Sequence, residues 1–177
     1  MDPRQIAAVL APLSPEERAA LINQTLFGFD ALVGMRFVSI AEDRLEATLA
    51  ADERHIQPYG LVHGGVYAAL VESACSVGAA MTVMAAGKNA VGLENTTRFK
   101  KGCRSGATLT VVAVPAGGAE GYPVWSASIT DEGGEVCAEG RVTLRVLDTG
   151  KAIAGEAVGF AGDVVPDTVS DTVPDPE

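Results

Sequence analysis

His55-Ile56-Gln57-Pro58-Tyr59-Gly60-Leu61-Val62-His63-Gly64-Gly65, running on into Val66 to Ala86, is the stretch whose reading decides the fold. A polar loop marked by Pro58 and Gly60 leads into 21 residues that are mostly Ala, Val, Leu, Ser, Met and Gly, with Glu72 as their only charged side chain. Length and composition predict a helix apolar on every face, and such a helix is enclosed either by lipid or by protein. Three features favour protein: Glu72 sits near the first third, the residues are small rather than rich in Leu and Ile, and strand-like segments follow at once. The expectation is a central helix wrapped by a sheet, with Ala and Gly letting the sheet approach closely.

A lone carboxylate in so apolar a run is costly to bury and needs a partner or a task. Gly64 and Gly65 open the helix. Their N–H groups have no intrahelical acceptor and carry the positive end of the helix dipole. This terminus reads either as a plain helix start or as a site for an anion or a developing oxyanion. Gly64 and Glu72 are eight residues apart, about 12 Å of helical rise. At that spacing the two cannot touch the same atom, so acting on one reacting carbonyl requires that they come from different subunits. Ser76 follows Glu72 by four residues; it shares the face and is placed to orient the carboxylate or a water.

The run Gln57-Pro58-Tyr59-Gly60-Leu61-Val62-His63-Gly64-Gly65, with Glu72 nine residues after His63, resembles the hotdog-fold acyl-CoA thioesterases. The branch it is most similar to contains 4-hydroxybenzoyl-CoA thioesterase of the Arthrobacter type, with the enterobactin-proofreading and menaquinone-pathway enzymes nearby. The phenylacetate-pathway branch usually has Asn and Asp where this chain has Gln57 and Glu72. The resemblance covers roughly residues 30–147. It implies that the Gly64 N–H polarises the thioester carbonyl, that Gln57 helps to orient it, and that His63 orders the loop. It also implies that Glu72 of the neighbouring subunit is the nucleophile or the general base on water. Ser76 stands where this branch often has Thr, which implies a water-positioning role. An aromatic acyl group is favoured by the family alone.

Outside this stretch the chain reads as an α+β pattern, two strands, one helix and then a run of strands, as a curled antiparallel sheet around a helix requires. Residues 1–29 read as a helical arm. Ser14-Pro15-Glu16-Glu17 carries an N-cap, a Pro in the first turn and a Glu at the third position. Met35 to Ile40 and Arg44 to Ala50 read as strands, and Leu45, Ala47 and Leu49 alternate with Glu46 and Thr48. After Gly87-Lys88 breaks the helix, strands are predicted over Asn89 to Phe99, Thr108 to Val114, Val124 to Thr130 and Val136 to Leu147. Residues 148–177 form a separate tail. From Ala152 onward it has six acids, no base and several prolines, with little to bury, so disorder is expected. The tail either solubilises the chain or binds a partner.

The net charge is −10 over 177 residues. Against that background Arg98-Phe99-Lys100-Lys101-Gly102-Cys103-Arg104 holds four bases and no acid. It reads as a solvated turn or as a contact for an anionic ligand. In the resembling family the matching loop lies near the CoA phosphates, which implies contacts from Lys100, Lys101 and Arg104, and Lys101 stands where an Arg is often found. Nucleic acid is not expected from so acidic a chain. Cys75, Cys103 and Cys137 are far apart in sequence and odd in number, and the only histidines are His55 and His63. This suggests a reducing cytoplasm and no metal site. The N-terminus lacks the basic-then-apolar start of a signal peptide. Tyr59, Val66, Met81 and Met84 suggest an apolar pocket.

The expectation is therefore a cytoplasmic acyl-CoA thioesterase. No cofactor is needed, CoA being part of the substrate. Its oligomer, a dimer of dimers, has its sites between subunits. A non-catalytic acyl-CoA-binding or sensing module is the alternative, and hydration or dehydration of acyl thioesters on the same fold ranks last, because its motif is not visible.

Overall fold

A computed structural model of the chain describes residues 2–153 and 156–157. Six strands form one antiparallel sheet: β1 (Arg36–Ile40), β2 (Leu45–Ala50), β3 (Lys88–Phe99), β4 (Thr108–Ala119), β5 (Tyr122–Thr130) and β6 (Val136–Asp148). Their spatial order is β1-β2-β4-β5-β6-β3. The strand that follows the central helix in sequence thus becomes the far edge of the sheet. Three short helices, α1 (Pro3–Leu10), α2 (Pro15–Gln24) and α3 (Gly28–Val33), precede the sheet, and the long helix α4 (Gly64–Val83) crosses it.

The alternation seen in the sequence is the alternation of the two sheet faces. Leu45, Ala47 and Leu49 on β2, Leu109, Val111 and Ala113 on β4, and Trp125, Ala127 and Ile129 on β5 are all buried. They meet Tyr67, Leu70, Val71, Ala74, Cys75, Gly78 and Ala79 of α4. The small residues have specific uses. A Cβ at Gly78 would overlap the Trp125 ring, and one at Gly140 would lie 2.6 Å from Val71 Cγ1. The helix is long and apolar enough to cross a membrane by length and composition, but one side of it is clasped by β2 to β6.

Three boundaries differ from expectation. The arm expected over residues 1–29 is three helices, and α3 runs across the expected break, so it belongs to the domain: Asp30 accepts a 2.5 Å hydrogen bond from Ser73 of α4. Ser14 does cap α2, with Glu17 reaching back to the Ser14 N–H at 2.8 Å. Strand β4 continues past Val114 through Pro115, which pairs with Trp125. The ladder between β4 and β2 ends at Ala113, so the missing N–H of Pro115 faces a side with no neighbouring strand, where proline is tolerated. At the other end of the chain, Asp148 still belongs to β6 and Thr149 donates a 2.9 Å hydrogen bond to the Gly87 carbonyl. Ala152–Ile153 (β7) pairs with Glu156–Ala157 (β8). The rest of the expected disordered tail, residues 154–155 and 158–177, lies outside the described residues.

Candidate active site

The loop before α4 is held from below by His55, which is 4% exposed. Its Nδ1 accepts the Asp52 N–H at 2.9 Å, and its Nε2 lies 2.7 Å from the Val33 carbonyl. Both ring nitrogens are thus engaged, and Nδ1 also lies 3.1 Å from the Asp52 carboxylate. The His55 carbonyl in turn accepts the His63 N–H at 2.8 Å. The loop is a small hairpin with an Ile56–Val62 bridge. The Gln57 N–H donates to Leu61, and the Gly60 N–H donates to Gln57. Gly60 takes a φ of +75° there, which favours glycine. His63 is the N-cap of α4, its Nδ1 accepting the Gly65 N–H at 2.8 Å. The ring thus caps the start of the helix. Gly64 is the first residue of α4, so its N–H leaves the helix end free for a ligand atom. The Phe99 ring rests against it, 2.9 Å from where a Cβ would stand.

Glu72 lies half-buried one helix turn before Ser76. The Ser76 hydroxyl donates to Oε1 at 3.2 Å. The other oxygen, Oε2, accepts 2.9 Å from the Asn95 side-chain amide on β3. That amide also donates to the Ala68 carbonyl at 3.1 Å, and its oxygen accepts from Thr97 Oγ1 at 2.8 Å. Asn95 and Thr97 were not among the expected site residues. Gly92, on the same strand, lies under the carboxylate, and a Cβ there would overlap Oε1. Since Gly64 and Glu72 share α4, about 12 Å of helix separates them, as the spacing required.

The basic loop is less positive than its sequence. Lys100 pairs with Glu139 at 3.0 Å, and Lys101 with Asp131 at 2.5 Å and with Glu135. These contacts hold the Lys101 ammonium above its ordinary range and the Asp131 carboxyl below its own. Asp131 and Glu135 come from the β5–β6 turn and Glu139 from β6, all more than 25 residues away in sequence, so local reading did not see them. Among the described residues Arg98 and Arg104 have no ion-pair partner. Arg104 lies beside the hairpin loop, its Nη1 3.8 Å from where a Gly60 side chain would begin.

Under the same loop the fold brings together cysteines that the sequence keeps apart. Cys103 and Cys137 are buried, with their sulfurs 3.1 Å apart. Asp131 lies near enough that one ligand atom from each of the three falls within 4.8 Å of the others. The Asp131 oxygens already serve Lys101, Gly133 and Glu135. Burial pushes the Cys137 thiol up to about 12, so it stays protonated. The Tyr67 hydroxyl is buried beside Cys103 with no well-formed hydrogen bond among the described residues. The four residues expected to form a pocket do not meet. Tyr59 is 85% exposed at one end of α4, and Met84 is buried at the other, about 30 Å away along a 20-residue helix.

Residues 59–138 match the thioesterase superfamily. The chain is 36% identical over 113 residues to 1,4-dihydroxy-2-naphthoyl-CoA hydrolase of Escherichia coli strain K12, covering 64% of this chain and 82% of that protein. It is 31% identical over 115 residues to the proofreading thioesterase EntH of Cronobacter turicensis, covering 65% and 82%. The crystal structure of thioesterase HI1161 from Haemophilus influenzae superposes with a TM-score of 0.67 at 30% identity, covering 77% of this chain and 92% of that one. With the six-stranded curled sheet and its long helix, these similarities make the chain a hotdog-fold thioester hydrolase that belongs to the thioesterase superfamily.

Proposed function

We propose that this protein hydrolyses an acyl-CoA thioester, with an aromatic acyl group preferred, to the free acid and CoA. The observation that carries the reading is Glu72: a carboxylate on an apolar helix, with one hydrogen-bond donor fixed on each of its oxygens. The preference for an aromatic acyl group is supported by the naphthoyl-CoA hydrolase to which the chain is similar.

In this reading the Gly64 N–H, at the positive end of α4, receives the thioester carbonyl and strengthens its hold as the oxygen becomes an oxyanion. Gln57 orients the carbonyl, His63 keeps the helix end in place and Ser76 steadies the carboxylate or its water. Glu72 of the facing subunit supplies the second component. It either attacks the carbonyl carbon, expelling the CoA thiolate and leaving an anhydride that water opens, or takes the proton of an attacking water. The reaction asks for no metal or redox group, because a thiolate is already a fair leaving group. Of the three bases assigned to CoA, Arg104 is the one we assign to phosphate, because Lys100 and Lys101 are engaged by acids.

The site needs a second copy. Strand β3 is one of the two edges of the sheet, and Gly92 to Thr96 on it are exposed. Pairing β3 with β3 of another copy extends the sheet and brings the two α4 helices side by side. The outer sheet face carries an open groove of roughly 910 Å³ with Val112, Val114 and Val124 among Ser126, Ser128 and Thr143, and we assign this face to the contact between dimers. The three free cysteines suit the reducing cytoplasm in which we place the reaction.

Thiol release from a panel of aryl- and alkyl-CoA thioesters tests the reading. Turnover of the aryl-CoA members is expected. Tight acyl-CoA binding with no thiol release would replace it with a sensing module.

A further inference from the structure

We infer that Asn95, locked by Thr97, is a positioning residue that aims the Glu72 carboxylate; this inference rests on Glu72 being the reacting group. Its basis is a break in the strand pattern of β3. Gly92 pairs with Leu144 and Glu94 with Thr143, so Leu93 is an extra residue, a β-bulge. In a regular strand side chains alternate, so Gly92 and Asn95, three apart, would face opposite sides. The extra residue changes the parity. Asn95 pairs with the buried Val142 and its amide reaches α4, while Glu94, Thr96 and Arg98 line the outer face. One bulge thus does two things: it brings the bare Gly92 backbone under Glu72, and it turns Asn95 and Thr97 inward beside it.

The hydrogen bonds permit only one orientation of the Asn95 amide. The Ala68 carbonyl and Glu72 Oε2 are both acceptors, so the NH2 end must face them. On the other side the Thr97 hydroxyl donates to the amide oxygen. Turning the amide over would set its oxygen against two acceptors, the Ala68 carbonyl and the Glu72 carboxylate. The NH2 group also spans a single helical turn, since the Ala68 carbonyl accepts the Glu72 N–H within α4. The side chain of Glu72 is therefore tied to the turn that carries it, through a strand that forms the edge of the sheet. Ser76 alone, bonded at 3.2 Å to the other oxygen, would leave the carboxylate free to swing about that contact.

The test is steady-state thiol release by Asn95→Ala, Thr97→Val and Thr97→Ser beside native protein and Glu72→Gln, with thermal unfolding of each. Asn95→Ala is expected to lower kcat about 10- to 100-fold with KM within about twofold and little change in Tm. Thr97→Val, which keeps shape but removes the donor, is expected to lower kcat several-fold, and Thr97→Ser to restore it. Native kcat in Asn95→Ala, or a loss confined to KM, would overturn the inference. Should Asn95→Ala fail to fold, the Thr97 pair decides alone: equal kcat in Thr97→Val and native protein overturns it. Full activity in Glu72→Gln would instead remove the reading on which it rests, so the two failures are distinguishable.

Discussion

Glu72→Gln is expected to lower kcat for thioester hydrolysis by about 10³-fold, equivalent to about 4 kcal/mol of barrier. The substitution keeps the length and volume of the side chain. With its oxygen toward the Asn95 amide, the new side chain still accepts from Asn95, and its NH2 donates to the Ser76 hydroxyl, which can accept. The local hydrogen bonds therefore survive, and stability should change little. Neither mechanistic route survives, because a neutral amide is a poor nucleophile and cannot accept a proton from water. KM should change little, since the proposed site gives the carbonyl oxygen and the CoA phosphates to other residues. Steady-state kinetics with unfolding curves for both proteins check this. A variant within tenfold of native kcat would take the chemistry away from Glu72.

Trp125→Ala is expected to destabilise the fold by about 3–5 kcal/mol, measured by denaturant unfolding. The ring is 2% exposed, at the middle of the sheet, and lies in the space left by Gly78 on α4. Removing it opens a cavity that the strand cannot collapse into, because β5 is hydrogen-bonded on both sides, to β4 and to β6. Since small domains are stable by only about 5–15 kcal/mol in total, the variant should lose a large part of its margin. A loss under about 1 kcal/mol would mean that the sheet and helix are not packed as described.

Much of this could be read before the fold was known, and the parts that could not have physical reasons. Gly64-Gly65, Glu72 and Ser76 were legible because they lie on one helix, where spacing converts directly into geometry. The inner face of β2 was legible because the regular alternation of Leu45, Ala47 and Leu49 with Glu46 and Thr48 marks it. Asn95 and Thr97 were hidden by a bulge: strict alternation from Gly92 sends both away from the helix. A polar pair at Asn95 and Thr97 next to a glycine at position 92 was the only trace. The partners of Lys100 and Lys101 were hidden because Asp131, Glu135 and Glu139 reach them only through strand pairing. The same holds for Cys103 and Cys137, 34 residues apart and in contact. Residues adjacent in sequence declare their chemistry, whereas residues joined by the sheet do so only once its register is known.

In the proposed site one subunit's helix end and the other's carboxylate act on the same carbonyl. Mixing two dead proteins shows whether they do. Gly64→Val blocks the approach to the helix N–H, and its neighbour Phe99 is exposed enough to turn aside; Glu72→Gln removes the carboxylate. Each alone should retain at most about a hundredth of native activity. Unfolded together and refolded, they should regain about a quarter of it, because half of the dimers are hybrids and each hybrid rebuilds one of its two sites. No recovery in a mixture shown to contain hybrids would mean that Gly64 and Glu72 do not share a site between subunits.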